Sequence, residues 1–352
     1  MHIFDYSFLD NGLLPAGIVN LTATITAFKA ISGERMDKNK KIYTELEAIA
    51  RVQSVKNSNA IEGIVTTDAR IKAIVDGNSA PLNHNEIEIA GYRDALDEIH
   101  KNHSQLSFNE EMIQHLHRVI QGITDTDGGG RYKDEDNLIM AIDTTGRRSV
   151  RFKPVTAAET KDAMEQLVLA YMDARNNPNI NQLLLVPCVV LDFLCIHPVG
   201  DGNGRVSRLL SLLLMYKNGF DVGKYVSFEE QINEMKEQYY DALYRSSQKW
   251  HENENSYIPF MENFLVTLYR CYKELDKRFS TINGKRISKN ERIEQTVMNS
   301  VLPISKSEIC EILPDVSVTT VEAVLGRMVK AGEVKKLGQA RNTKYVNAKY
   351  VK

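Results

Sequence analysis

Cysteine is scarce in this chain, with four in 352 residues, and Cys188, Cys195, Cys271 and Cys310 lie far apart. Such spacing gives no disulfide framework, and reduced thiols set in apolar helices lead us to expect a cytoplasmic protein. Long apolar runs are missing too: those near Leu183 and Leu209 are broken by Pro187, Asp192 and Lys217, so no segment reads as a membrane span. The N-terminus carries Asp5 and Asp10 without a basic region and apolar core, so no signal peptide is expected. There is no internal repeat and no low-complexity tract. At 43% hydrophobic and 26% charged the composition is globular, and the length suits two or three domains. Two common nucleotide-binding fingerprints are absent as well. No G-x-x-x-x-G-K-[ST] occurs and the glycines do not satisfy G-x-G-x-x-G, which removes the Walker and dinucleotide readings. His115 and His117 are two apart on a predicted helix and face different ways, so a zinc pair is not expected. His84, His100 and His103 read as solvated.

What is present is a twelve-residue run, His197-Pro198-Val199-Gly200-Asp201-Gly202-Asn203-Gly204-Arg205-Val206-Ser207-Arg208, set between apolar stretches 183–196 and 209–216. That pattern predicts a sharp polar loop between two buried helices. Gly200, Gly202 and Gly204 suit positive φ and close backbone approach to an anion, with the second helix starting near Gly204 and aiming its free N–H groups at the loop. His197, with an ordinary pKa near ~6.5, suits proton transfer at neutral pH. Asp201 offers a hard oxygen to Mg2+, Asn203 a donor to a phosphate oxygen, and Arg205 and Arg208 forked clamps one turn apart. These groups together predict Mg2+-assisted nucleotidyl or phosphoryl transfer.

The run resembles the Fic family signature H-x-F-x-[DE]-G-N-G-R-x-x-R at every position but one, where Val199 replaces a core-packing Phe. The resemblance implies transfer of AMP from ATP to a Ser, Thr or Tyr hydroxyl of a target protein, with release of pyrophosphate. It implies His197 as general base, Asp201 as Mg2+ ligand, Asn203 and the backbone of Gly202 and Gly204 as anion hole, and Arg205 and Arg208 as phosphate clamps; Gly200 completes the ATP loop. Upstream, Ser58-Asn59-Ala60-Ile61-Glu62-Gly63 resembles the family's inhibitory [ST]-x-x-x-E-[GN] element. Helical periodicity over residues 45–61 with Gly63 as stop puts Glu62 at a helix C-terminus. The helix dipole disfavours a carboxylate there unless a cation compensates, and a bidentate pair with Arg208 would do so while occupying the γ-phosphate clamp.

Residues 138–142 and 149–152 around Thr144, Thr145 and Gly146 predict a β-hairpin. In the family such a hairpin is a flap that pairs with an extended target segment, which assigns Leu138, Ile139, Met140, Ala141 and Ile142 to target binding. The stretch Tyr239-Tyr240-Asp241-Ala242-Leu243 resembles the family's Y-Y-x-x-L helix, with Tyr240 toward the nucleotide and Tyr239 in the core.

The expected fold class is mainly α: a Fic-type helical bundle with a small hairpin flap and a C-terminal winged helix. We divide it into an N-terminal helical region (1–105) carrying the inhibitory helix, a catalytic core (106–265), a linker helix (266–284) and a winged-helix domain (285–352). The last segment holds thirteen Lys and Arg against seven Asp and Glu, a net +6 that leaves −8 on the rest. Its pattern predicts helices at 293–301, 307–313 and 318–331, a turn at 314–317 and a hairpin near Gly338. Lys335, Lys336, Arg341 and Lys344 would lie on the wing, whereas Glu322 on the candidate recognition helix would repel phosphate, so DNA binding stands beside a protein-interaction role. A homodimer is expected by resemblance alone. The alternatives kept open are a nucleotide-sensing regulator or scaffold, a phosphotransferase, and removal of AMP from a modified target.

Overall fold

A computed structural model describes residues 2–122, 130–142, 148–283, 288–300, 303–313, 315–338 and 343–348. Asp127, the turn residues Thr144, Thr145 and Gly146, and Gly284, Val301, Pro314 and Arg341 lie outside them. Fifteen α-helices among the described residues make the chain mainly α. They are α1 (Phe8–Asn11), α2 (Ala16–Lys38), α3 (Lys40–Ile61), α4 (Asp68–Val75), α5 (His84–Asn102) and α6 (Glu110–Gln121). After the antiparallel pair β1 (Ile139–Ile142) and β2 (Arg148–Phe152) come α7 (Ala157–Asn176), α8 (Gln182–Ile196), α9 (Asn203–Lys217), α10 (Phe228–Glu234), α11 (Lys236–Ser247) and α12 (Ile258–Asn283). The C-terminal unit holds α13 (Lys289–Asn299), β3 (Ile304–Ser305), α14 (Lys306–Ile312), α15 (Val318–Lys330), β4 (Val334–Leu337) and β5 (Lys344–Asn347), with strands in the order β3-β5-β4.

Helix starts follow side-chain chemistry. Thr67, Asn83, Asn109, Asn181 and Ser227 each accept a backbone N–H of the turn they open. Burial then sets the layers: every residue of α8 after Gln182 is buried, and the helix packs between α7, α9, α11 and α12. One apolar cluster spans α1 to α12, while a second, built on Ile293, Val297, Ile309, Val321 and Leu325, closes the C-terminal unit. No helix among the described residues is long and apolar enough to cross a membrane. Cys188, Cys195 and Cys271 are buried free thiols, and Cys310 is partly buried.

Two features of the core escape local patterning. His100, expected in solvent, is buried beside Tyr216 and its pKa is lowered to about 3 by desolvation; His84, though exposed, pairs with Glu88 at 2.7 Å. Deep in α8, Asp192 accepts from Trp250 Nε1 (2.7 Å), Tyr6 (2.8 Å) and Tyr257 (2.9 Å). His2 stacks on Trp250, so this cluster also anchors the first residues. Burial pushes the Asp192 carboxyl up to about 7 despite its three donors. The folded chain therefore keeps a proton that the unfolded chain loses above pH ~4, and this carboxyl's contribution to stability falls as pH rises toward 7. Asp192→Asn should remove that slope, at most about 1.4 kcal/mol per pH unit. Urea unfolding of both proteins at pH 5 and 7.5 checks it, and equal slopes would refute it.

Candidate active site

The loop begins where α8 runs out. His197 adopts φ 51°, ψ 61°, and its N–H donates to Phe193 O at 2.9 Å, closing the last turn of α8. For a residue with a Cβ this left-handed conformation costs about 1–2 kcal/mol. The expectation for the glycines needs correction. Of Gly200, Gly202 and Gly204, only Gly202 has positive φ (87°). Gly200 has open space where a Cβ would project, and Gly204 lies inside α9, where a Cβ would sit 2.2 Å from Glu62 Oε1. Gly204 is thus bare to admit a neighbour, not to reach an unusual dihedral. No side chain caps the start of α9, which leaves its first N–H groups for an anion.

Asn203 also differs from expectation. It is 2% exposed and folds back on the loop, its Oδ1 accepting from Val199 N (3.1 Å) and its Nδ2 donating to Val199 O (2.6 Å). Those bonds hold the loop closed. Val199 itself is fully buried, so the smaller side chain still fills a core position. Burial and the nearby Lys133 ammonium lower His197 to about 4, so its ring is neutral at pH 7.

Arg208, 2% exposed, meets the end of α3. Its Nε donates to Ser58 Oγ at 2.8 Å, while its Nη2 donates to Ser58 O at 2.9 Å and to Glu62 Oε1 at 2.8 Å. The pair is therefore made through one carboxylate oxygen and is not bidentate; Ser58 takes Nε and shares Nη2 with Glu62. Glu62 is the C-cap of α3, and Gly63 follows at φ 81°. Arg208 satisfies the otherwise orphaned Ser58 carbonyl, and Lys236 Nζ does the same for Ile61 O at 2.8 Å.

Arg205 is placed differently from Arg208. It is 1% exposed and ion-paired to buried Glu88 of α5; its Nη2 is 3.2 Å from Asp201 Oδ2, and its buried Nε has no partner. Its charge ties the loop to α5 through Glu88. Removing Glu88 would strand a buried cation, so Glu88→Ala should cost about 3–5 kcal/mol in urea unfolding. A loss below about 1 kcal/mol would refute this pairing role.

The Asp201 carboxylate is 80% exposed at the loop tip. Among the described residues no three His, Cys, Asp or Glu converge, so a metal held by protein ligands alone does not fit. A single exposed hard oxygen does fit Mg2+ that keeps waters and takes phosphate oxygens. Tyr239 is buried, whereas Tyr240 is half-buried and lines a surface pocket with Arg151, Asn233 and Lys236. Arg151 of β2 lies over the rings of Tyr240 and Tyr244 and bonds Tyr240 O, tying the hairpin to α11. Met140 and Val150 pair across β1 and β2 with both side chains exposed, and Leu138 is exposed just before β1.

Three supports had no local sequence signal. His117 is buried behind the loop, accepting from Gly130 N at 3.2 Å and bonding the Asp201 backbone. Lys133 and Asn137, in an irregular stretch before β1, reach His197 and its neighbours.

Residues 107–215 match the Fic/DOC family. The protein adenylyltransferase fic-1 of Caenorhabditis elegans is 26% identical over 176 residues, covering 47% of this chain and 32% of that protein. The protein adenylyltransferase Fic of Nematostella vectensis is 23% identical over 245 residues, 62% of this chain and 53% of the relative. The chain thus spans about a third to a half of these relatives. Its fold is similar to the crystal structure of a Fic family protein from Desulfovibrio desulfuricans G20, with TM-score 0.62, 19% identity, and coverage of 95% of this chain and 97% of that one. A Fic domain containing signaling protein from Bacteroides thetaiotaomicron VPI-5482 gives TM-score 0.58 at 19% identity, over 73% and 95% of the two chains. With the loop, the helical bundle and these matches in agreement, the chain carries a Fic/DOC-family domain over residues 107–215.

Proposed function

We propose that this chain transfers AMP from ATP to a Ser, Thr or Tyr hydroxyl of a target protein and is held in check by Glu62. The observation that carries the reading is the Glu62–Arg208 ion pair at the uncapped start of α9, beside His197. In the reaction the target hydroxyl oxygen attacks the α-phosphorus, the bond to the α–β bridging oxygen breaks, and pyrophosphate leaves. The hydroxyl proton passes to Nε2 of His197, whose ring is neutral at pH 7 and serves as acceptor when its own hydrogen lies on Nδ1. The first N–H groups of α9 hold the phosphates, and Arg208 clamps the γ-phosphate once Glu62 withdraws. Asp201 would hold Mg2+, which when bound neutralises charge on the departing pyrophosphate. Tyr240 would line the nucleotide's place. The exposed edge of β1 would take an extended target segment, kept in place by the Arg151 tie to α11.

Label from α-labelled ATP and Mg2+ on Glu62→Gly, compared with the same variant lacking His197, tests the reading. A second reading, nucleotide sensing coupled to a winged helix, is favoured by the separate C-terminal core of three helices and a three-stranded sheet. In that unit Val318, Thr319 and Thr320 open α15, and Lys306 neutralises Glu322 at 2.5 Å. No cation stands in that first turn, which supports a protein-contacting over a base-reading helix.

A further inference from the structure

The nitrogen of His197 that faces the protein interior is met by two amides. Asn137 Nδ2 lies 2.9 Å from His197 Nδ1, and Asn203 Nδ2 lies 3.1 Å from the same atom. Each amide is oriented by a bond at its other end. Lys133 Nζ donates to Asn137 Oδ1 at 3.0 Å, and Val199 N–H donates to Asn203 Oδ1 at 3.1 Å. Both therefore turn NH2 groups toward the ring, and a nitrogen facing two N–H donors is an acceptor without a hydrogen of its own. In a neutral imidazole the hydrogen must then sit on Nε2, which can donate a proton but has no lone pair with which to take one.

Lys133 is fastened to the chain on both sides of the histidine. Its ammonium, 7% exposed, donates to Ile196 O at 3.1 Å, and its backbone N–H donates to Pro198 O at 2.9 Å. The stretch from Lys133 to Asn137 thus runs alongside residues 196–199 and leads, two residues later, into β1. Asn137 thus sits two residues from the β1 edge, where an added peptide would act on the segment carrying its amide.

We propose that Asn137, oriented by Lys133, is a positioning residue that fixes the resting His197 ring as its Nε2–H tautomer and couples release of that tautomer to the β1 hairpin. It rests on the proton-transfer role given to His197 above. While the amide points its NH2 at Nδ1, the site presents a donor where AMP transfer needs an acceptor. When the amide turns its oxygen to Nδ1, the hydrogen moves there and Nε2 becomes the base. The hairpin would then bring the target and prepare the base in one movement.

The test uses the full chain with 15N-labelled histidine at neutral pH, with the His197 signals assigned by their loss in His197→Gln. Wild type should show Nδ1 bare and Nε2 protonated. Asn137→Asp, whose carboxylate can only accept, should move the hydrogen to Nδ1, and Lys133→Met, which frees the amide to turn, should give a mixture. Nδ1–H in the wild type, or a tautomer unchanged by Asn137→Asp, overturns the proposal. In the Glu62→Gly background, Asn137→Asp should raise kcat about tenfold with the KM for ATP unchanged. A switched tautomer with unaltered kcat overturns the coupling. Absence of AMP transfer with and without Asn137→Asp counts against the function proposed above, while the nitrogen signals still decide the tautomer.

Discussion

Glycine in place of Glu62 should raise AMP transfer by about ten- to a hundredfold. The estimate follows from what the carboxylate holds: one charge-assisted hydrogen bond to a guanidinium 2% exposed to solvent. Bonds to charged groups contribute about 1.5–3 kcal/mol, and each 1.36 kcal/mol is a factor of ten. Glu62 also stands in the way, since its Oε1 lies where a Cβ on Gly204 would project, against the start of α9. Glycine removes both the competitor and the obstruction. It leaves Arg208 aimed, because Ser58 still binds Nε and Nη2. The measurement is the initial rate of label incorporation from α-labelled ATP with Mg2+, on the chain itself and on candidate targets. No gain over wild type would sink the inhibitory role.

His197→Ala in the activated variant should then lower that rate by about 10²- to 10⁴-fold, the range typical of a positioned proton acceptor. ATP affinity should change little, because the ring's hydrogen bonds go to Asn137 and Asn203 and its backbone N–H only closes α8. Equilibrium binding of labelled ATP alongside single-turnover labelling separates the two effects. Label retained within about threefold would remove His197 from the proton-transfer step, and matched losses of binding and labelling would recast it as a nucleotide contact.

The reach of sequence reading follows the range of the interactions concerned. The α8–loop–α9 unit was legible because two apolar runs flank a polar one, and burial dictates that pattern. The end of α3 was legible because Gly63 stops a periodic helix, and the hairpin because a short apolar run and a second short segment flank the turn-forming residues Thr144, Thr145 and Gly146 in the sequence. What the pattern missed depends on partners remote in sequence. Arg205 is paired with Glu88, 117 positions earlier, and Asp192 gains its environment from Tyr6, Trp250 and Tyr257. The dihedral of His197 was missed because glycine is the usual occupant of the left-handed region. Lys133 and Asn137 sit in a stretch without periodicity, so nothing local marks them.

The guanidinium of Arg208 caps α3 through the Ser58 carbonyl as well as pairing with Glu62, and Lys236 serves the Ile61 carbonyl nearby. In the proposed reaction a phosphate arriving at Arg208 would draw on the cation that closes the helix, which would make nucleotide occupancy and fraying of the last turn of α3 linked functions. Linkage makes the effect mutual: whatever loosens that turn tightens nucleotide binding by the same factor that the nucleotide loosens the turn. Restraint of this kind is graded, set by the stability of about four residues, and a partner that grips or releases the outer face of α3 would tune it without touching the catalytic loop.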